Sequence, residues 1–165
     1  MAEAQHHRVV VIGGGNGGLS VAGRLRRLGV KDIVVIEPRS EHLYKPLFSH
    51  IAGGTAPASM AVRAQASVMP KGVGWMQDAV VAVQPDGDCA LLESGARVSY
   101  DHLIVSAGIQ HDWEAIPGLA EAMRTPSGAS HYEFDLAQKA SALLHATRSG
   151  TVIFTQPAGP ASCAG

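Results

Sequence analysis

One stretch near the start of the chain, residues 8–37, limits the possible folds more than any other. It opens with an apolar run over residues 9–12, which is typical of a strand buried in a parallel sheet. Gly13, Gly15 and Gly18 follow with the spacing G-x-G-x-x-G. A glycine-rich turn directly after such a strand predicts a βα unit that approaches a ligand with its backbone.

An amphipathic helix and a second strand complete this unit. Gly29 is placed to end the helix as a C′ residue. The second apolar strand, residues 33–36, ends in Glu37, 19 residues after Gly18. The helical stripe consists of residues spaced three apart, Leu19, Ala22, Leu25 and Leu28.

Each part of the pattern has a physical role in dinucleotide binding. Gly13 permits a tight turn, Gly15 lets a pyrophosphate approach the backbone, and Gly18 allows close packing of helix and strand. The helix N-terminus presents free N–H groups to the phosphates, and Glu37 can accept hydrogen bonds from ribose hydroxyls. The sequence therefore predicts dinucleotide binding, with a purely structural glycine-rich turn as the alternative.

Composition narrows the class of protein. The chain has 165 residues, 46% hydrophobic and 16% charged, with a net charge of −1. This balance predicts a globular protein with a real core and argues against a nucleic-acid partner. No apolar run reaches the length of a spanning helix, and residues 1–7 lack the apolar segment of a secretory signal.

The cysteines and histidines predict no disulfide framework and no metal centre. Two distant cysteines, Cys89 and Cys163, do not form the pattern of a secreted disulfide protein. Cys89 lies on a predicted strand and is interpreted as a structural thiol. The eight histidines include the pair His6–His7, interpreted as a solvated stretch, and none of their spacings resembles a zinc site.

The middle of the chain predicts short strands joined by turns. Two strand-like pieces lie within residues 73–83, and a hairpin is expected around Ser94-Gly95. Another buried parallel strand, residues 103–108, ends in small residues, which suits a backbone that meets a ligand. Residues 44–48 are either a buried aromatic plug or a segment that lies along the cofactor.

The last third predicts a connector, a helix and a further strand. Residues 112–128 contain two prolines and two glycines and are interpreted as a connector between domains. A helix is expected over residues 134–147 and a buried parallel strand over residues 151–154. Because such a strand needs neighbours, we expect the chain to be the N-terminal portion of a longer protein.

Several stretches together resemble a known family. The glycine fingerprint and Glu37 match flavoproteins related to the pyridine nucleotide-disulfide reductases, and the whole chain resembles the first part of the sulfide:quinone oxidoreductases. The stretches that carry the narrower resemblance are Ile36-Glu37-Pro38, Tyr44-Lys45-Pro46, 69–75, 100–104, Gly108-Ile109-Gln110 and 153–165, which ends in Cys163-Ala164-Gly165.

The resemblance implies a cofactor, a set of site residues and partners. FAD would be the cofactor, with sulfide, a small sulfur acceptor and quinone as reaction partners. Cys163 would be one of two redox cysteines and would form a persulfide beside the flavin. Its place after a predicted strand, where it would open a helix, agrees with a reactive thiolate, although an inert thiol in a loop is the alternative on sequence chemistry alone. The residues implied to bind FAD are Gly13, Gly15, Asn16, Glu37, Lys45, Val80 (through its backbone) and Gly108.

The expected architecture is α/β. Residues 1–115 would form the N-terminal half of a Rossmann-like FAD-binding domain, and residues 116–165 a connector and the start of a second, incomplete Rossmann-like domain. By the resemblance, the protein would contact a membrane peripherally through a missing C-terminal part, at the cytoplasmic face in a bacterium or at the mitochondrial inner membrane. An NADH:quinone-type flavoprotein dehydrogenase and a non-catalytic dinucleotide-binding fragment are the alternative functions.

Overall fold

A six-stranded sheet is the centre of the structure, a computed structural model that describes residues 5–156 and 158. The sheet order is β5-β2-β1-β8-β7-β6, and a separate pair, β3-β4, is antiparallel. The strands are β1 Gln5–Ile12, β2 Ile33–Ile36, β3 Glu41–Leu43, β4 Val62–Ala64, β5 Gly74–Met76, β6 Val80–Gln84, β7 Cys89–Leu92 and β8 Arg97–Val105. The α-helices are α1 Asn16–Arg27, α2 Phe48–Ala52, α3 Gln65–Val68, α4 Leu119–Arg124 and α5 Phe134–Ala146. Short 3₁₀ turns lie at Lys45–Leu47, Ala58–Ala61, Pro85–Gly87 and Trp113–Ala115.

The parallel half of the sheet contains the βαβ unit that the glycine pattern predicts, formed by β1, α1 and β2. β1 pairs in parallel with β2 on one side and with β8 on the other, and β2 pairs with β5. Alternate residues of β1 and β2 face opposite sides of the sheet, because side chains alternate along a strand. Val9 and Val11 pack with Ala22 of α1, whereas Val10 packs with residues of the β7–β8 side. Both faces of these strands are therefore covered, as their apolar sequences predict.

Helix α1 ends where the sequence predicts, with Gly29 as its C′ residue, but its packed stripe is one residue shorter than predicted. Gly29 has φ +87°, and the N–H of Val30 donates to the carbonyl of Leu25 while the N–H of Gly29 donates to that of Arg26. This is a Schellman motif. Leu28 lies beyond the last helical residue and is 64% exposed, so the packed stripe ends at Leu25.

The predicted hairpin and the predicted helix near the C-terminus are confirmed. β7 and β8 pair antiparallel around Ser94-Gly95, and Cys89 lies buried on β7, in agreement with a structural thiol. Helix α5 spans Phe134–Ala146 and packs against α2 through Phe48 and Phe134, whose ring centroids are 5.7 Å apart. Of the segment 44–48, Phe48 is a core residue while Tyr44 and Lys45 face outward.

The strand predicted over residues 151–154 is absent. Residues 151–156 have no regular secondary structure, and the side chains of Ile153 and Phe154 are 78% and 80% exposed. Helix α5 packs against α2, and within the described residues no strand pairs with the segment that follows it. The predicted connector contains a 3₁₀ turn and α4, and Lys139 of α5 donates to the carbonyl of Met123 at 3.1 Å.

Within the described ranges, no helix combines the length and the apolar character that crossing a bilayer requires.

Candidate dinucleotide-binding site

At two positions of the turn between β1 and α1, a side chain would collide with neighbouring backbone. Gly13 has φ +99°, and a Cβ there would run into the backbone carbonyl of Ser106 at the end of β8. A Cβ on Gly18 would overlap the carbonyl oxygen of Gly13 and approach Val11 Cγ1 to 3.2 Å. These contacts agree with the predicted roles of a tight turn and a close helix–strand approach.

Gly15 differs from its neighbours because the space beside it is open. A Cβ on Gly15 would meet nothing within 4 Å, and its φ of −72° and ψ of −171° suit any residue. Gly15 is also the N-cap of α1, which begins at Asn16 without a side-chain cap. The N–H groups of the first helical turn thus face an open mouth, where an anion can accept their hydrogen bonds.

Glu37 is joined directly to this turn. Its Oε2 accepts from the backbone N–H of Gly14 at 2.8 Å, and its Oε1 accepts from that of Arg39 at 2.9 Å. The backbone of Glu37 is held in turn by Trp75, whose Nε1 donates to the Glu37 carbonyl at 2.9 Å. A carboxylate has about four lone-pair sites, so Glu37 keeps capacity for ribose hydroxyls beside the glycine turn.

Two buried side chains that the sequence analysis missed also hold the turn. Nε2 of Gln65 donates to the carbonyl of Gly14 at 2.9 Å, and Nδ1 of His42 lies 3.3 Å from the same oxygen. Gln65 is 1% exposed and His42 is 7% exposed. Gln65 stands in an alanine-rich stretch without clear periodicity, so the only available signal was a lone amide among small residues.

Lys45 lies in a cleft on the side of the fold that follows β8. The cleft has a volume of about 520 Å³, and its walls include Arg39, Lys45, Gln110 and the aromatic residues Phe48, Trp113 and Tyr132. Gly108, with φ +78°, lies just before this wall, and a Cβ there would meet nothing within 4 Å. The stretch after β8 therefore approaches Lys45, as a shared ligand would require.

The remaining predicted site residues are Asn16, Val80 and Cys163. Asn16 and His42 line a second groove of about 410 Å³ beside the first turn of α1. Val80 begins β6 and packs half-buried against the core that includes Ile36, so it lines neither cleft of the described structure. Cys163 lies outside the described residues. Among those residues, no cluster of three or more His, Cys, Asp or Glu could hold a metal ion.

The donor set fits a dinucleotide. An exposed helix N-terminus with an open glycine, a carboxylate one hydrogen bond away and a cleft lined by cations and aromatic rings match a pyrophosphate, a ribose and a planar ring system. The sequence profile of the pyridine nucleotide-disulphide oxidoreductases matches residues 7–150. The chain belongs to this family. Its members are FAD-binding flavoproteins, in agreement with the expected cofactor.

Individual relatives narrow the comparison. The chain is 38% identical over 161 residues to the mitochondrial sulfide:quinone oxidoreductase of Mus musculus, which covers 97% of this chain and 36% of the mouse protein. The solved sulfide:quinone oxidoreductase of Aquifex aeolicus superposes with a TM-score of 0.68 at 25% identity, covering 86% of this chain and 32% of that one. The chain thus spans about a third of the length of these relatives.

A different class of flavoprotein matches over a shorter region. The type II NADH:quinone oxidoreductase Ndh of Mycobacterium tuberculosis is 34% identical over 114 residues, which cover 63% of this chain and 23% of that protein. This match is shorter than the 161 residues over which the chain matches the mouse sulfide:quinone oxidoreductase.

Proposed function

We propose that this chain is the dinucleotide-binding part of an FAD-dependent sulfide:quinone oxidoreductase, which oxidises sulfide to sulfane sulfur and passes the two electrons to quinone. The observation that carries the proposal is the 38% identity to such an enzyme over 97% of the chain. The geometry of the glycine turn supports the cofactor, because the open N-terminus of α1 and Glu37 provide the donors and acceptors that a pyrophosphate and a ribose need.

The residues of this chain bind and orient FAD in this proposal. Gly15 and Asn16 hold the pyrophosphate with backbone N–H groups, and Glu37 accepts from the ribose. Gly13 provides the tight turn beside the pyrophosphate, since its own N–H donates to the carbonyl of Ile36 at 2.9 Å. Lys45 and Gly108 line the path of the cofactor through the cleft after β8, and the backbone of Val80 contacts the adenine. FAD, when bound, supplies the two-electron redox chemistry.

Cys163 supplies the sulfur chemistry in this proposal. It is one of two redox cysteines, which begin the reaction joined as a disulfide. Sulfide attacks one sulfur of that disulfide, so a persulfide forms as the S–S bond breaks and the other cysteine leaves as a thiolate, whose electron pair would pass on to FAD. A hydroxyl cannot replace it, because a serine is too weak an acid to act as a nucleophile without an adjacent base and cannot carry a sulfane sulfur. Cys89 is excluded from this role since it is 5% exposed on β7, with its Sγ 3.6 Å from the carbonyl oxygen of Ala90.

The division into units and the cellular location are part of the same proposal. Residues 1–115 form the first half of the FAD-binding domain, and residues 116–165 lead into a second dinucleotide-binding domain. The protein meets a quinone-containing membrane peripherally. The sulfide:quinone oxidoreductase of Mus musculus, matched over 97% of the chain, is named as mitochondrial. This supports the mitochondrial inner membrane over the cytoplasmic face of a bacterium. Fractionation of the source cells tests this location.

A quinone reductase that takes electrons from NADH is the second candidate, supported by the similarity to the type II NADH:quinone oxidoreductase. The two candidates differ in their need for Cys163. A non-catalytic dinucleotide-binding fragment is the third candidate, and it predicts no turnover with either electron donor.

The decisive variants are Cys163→Ser and Cys89→Ser in the full-length protein that contains this chain. We expect Cys163→Ser to lose sulfide-dependent reduction of a soluble quinone by at least a hundredfold while it retains FAD. Cys89→Ser is the matched control and keeps turnover near the wild-type value, because its hydroxyl can remain bonded to the Ala90 carbonyl. Near wild-type turnover by Cys163→Ser would contradict the persulfide role and favour the NADH-type reading.

A further inference from the structure

The carbonyl of Gly14 is held by two side chains from outside the βαβ unit. Gln65 begins α3 and His42 lies on β3, and both reach the same oxygen, Gln65 Nε2 at 2.9 Å and His42 Nδ1 at 3.3 Å. Because the acceptor is a carbonyl oxygen, the contact from His42 requires its proton on Nδ1. Gln65 is itself anchored, since its backbone N–H donates to the carbonyl of Ser40 at 2.7 Å.

The other side of Gly14 is held as well. Its N–H donates to Glu37 Oε2 at 2.8 Å, so the two peptide groups that flank Gly14 are each fixed by a side chain. A Cβ on Gly14 would lie 2.5 Å from Gln65 Nε2 and 2.7 Å from Glu37 Cβ, which shows how closely both side chains enclose this residue. Gly14 is buried, whereas Gly15 is exposed.

The geometry of a peptide group gives this contact a consequence at the ligand side. In a planar trans peptide the C=O and the N–H point in opposite directions. The carbonyl of Gly14 and the N–H of Gly15 belong to the same peptide group. Holding the carbonyl toward the buried amide of Gln65 therefore turns the N–H of Gly15 the other way, toward the open mouth. Hydrogen bonds to the carbonyl also polarise the peptide group and strengthen its N–H as a donor.

We propose that Gln65 and His42 are positioning residues that aim the Gly15 N–H at the pyrophosphate of the dinucleotide. The inference rests on the FAD binding in the proposed function. It assigns a binding role to a buried amide and a buried imidazole that do not themselves touch the ligand. The segment from β3 to α3 thereby sets the affinity of the glycine turn for the dinucleotide, although the two lie far apart in sequence.

Binding of FAD to the full-length apoprotein tests the proposal, with Gln65→Leu and Gln65→Glu measured at pH 8 and pH 5.5. Leucine removes the donor at both values of pH, so we expect about tenfold weaker binding at each. An ionised glutamate also lacks a donor, but a protonated one donates its O–H. The Gly14 carbonyl and the nearby Glu37 carboxylate favour the protonated form. We therefore expect Gln65→Glu to bind about tenfold more weakly than wild type at pH 8 and within threefold of it at pH 5.5.

The controls separate positioning from packing. Glu37 and His42 are the titratable groups that face the amide, and both are present in the wild type, so each variant is compared with wild type at the same pH. Gln138→Leu on the exposed side of α5 should bind like wild type. Binding within threefold of wild type by both Gln65 variants at pH 8 overturns the proposal, as does equal weakness of both variants at both values of pH.

Variants of His42 provide the second route if those of Gln65 do not fold. Glutamine at position 42 keeps a donor and leucine does not, so His42→Leu should bind FAD at least threefold more weakly than His42→Gln, and equal binding overturns the inference. Sulfide-dependent turnover of the FAD-saturated wild type is measured separately. If turnover is absent while FAD binds, the proposed activity fails and the comparison of affinities stands.

Discussion

Alanine at Gly15 and at Gly18 should separate ligand binding from folding within one turn. A Cβ on Gly15 enters open space at φ −72°, so the folded apoprotein accepts it. Since glycine is a better N-cap than alanine, we expect a loss of less than about 1 kcal/mol in unfolding free energy. A Cβ on Gly18 overlaps the backbone oxygen of Gly13, which cannot move without displacing β1. Overpacking of this kind costs about 1–3 kcal/mol.

For FAD binding, Gly15→Ala should be the more harmful of the two substitutions. The methyl group of alanine at position 15 occupies the space where the pyrophosphate oxygens would meet the N–H groups of α1. Loss of one charge-assisted hydrogen bond costs about 1.5–3 kcal/mol, which corresponds to roughly a 10- to 150-fold increase in Kd. Gly15→Ala should therefore be a stable protein that binds FAD poorly.

Two measurements on the full-length apoprotein check this pair: thermal unfolding without ligand, and titration with FAD followed by flavin fluorescence. The reasoning is refuted if Gly15→Ala binds FAD within threefold of wild type. It is also refuted if Gly18→Ala unfolds at the wild-type temperature.

Two further predictions concern carboxylates. Glu37→Ala should weaken FAD binding by about 1.5–3 kcal/mol, measured by the same titration, while Glu41→Gln at an exposed position of β3 should not; equal affinities would contradict the ribose role. The pKa of Asp32 is held below its ordinary value, chiefly by the hydrogen bond from His7 and also by the N–H of Arg8. Its contribution to stability is therefore present above the unfolded pKa of about 3.9 and is lost as the pH falls through the lower folded value. Because Asp32 is exposed, Asp32→Asn should lower the unfolding free energy by only about 0.5–1 kcal/mol at pH 6 and not at pH 2. Urea unfolding at both values checks this, with the exposed Glu93→Gln as control, and a difference that persists at pH 2 would contradict it.

The elements predicted best are those whose sequence signals are local. The strand–turn–helix unit through Gly29, the hairpin at Ser94-Gly95 and helix α5 each follow from periodicity and turn chemistry within a few residues. The predicted strand over residues 151–154 failed because an apolar run forms a strand only where another strand can pair with it. Its sequence does not reveal that α5 packs against α2.

The candidate site also contains residues that the sequence could predict and residues that it could not. Gly13, Gly15 and Glu37 were predictable because the βαβ unit itself brings them together. Gln65 and His42 were not, since their contact with Gly14 depends on how the segment after β2 folds back over the turn. A glutamine or a histidine at these positions gives no pattern in the sequence from which such a contact could be predicted.

Reduction of the flavin by sulfide tests the central claim most directly. The full-length protein, purified with FAD and kept free of oxygen, is mixed with sulfide or with NADH while the visible flavin absorbance is followed. We predict bleaching by sulfide, little bleaching by NADH, and recovery of the absorbance when quinone is added. Bleaching by NADH alone, or a protein that binds no FAD, would contradict the account.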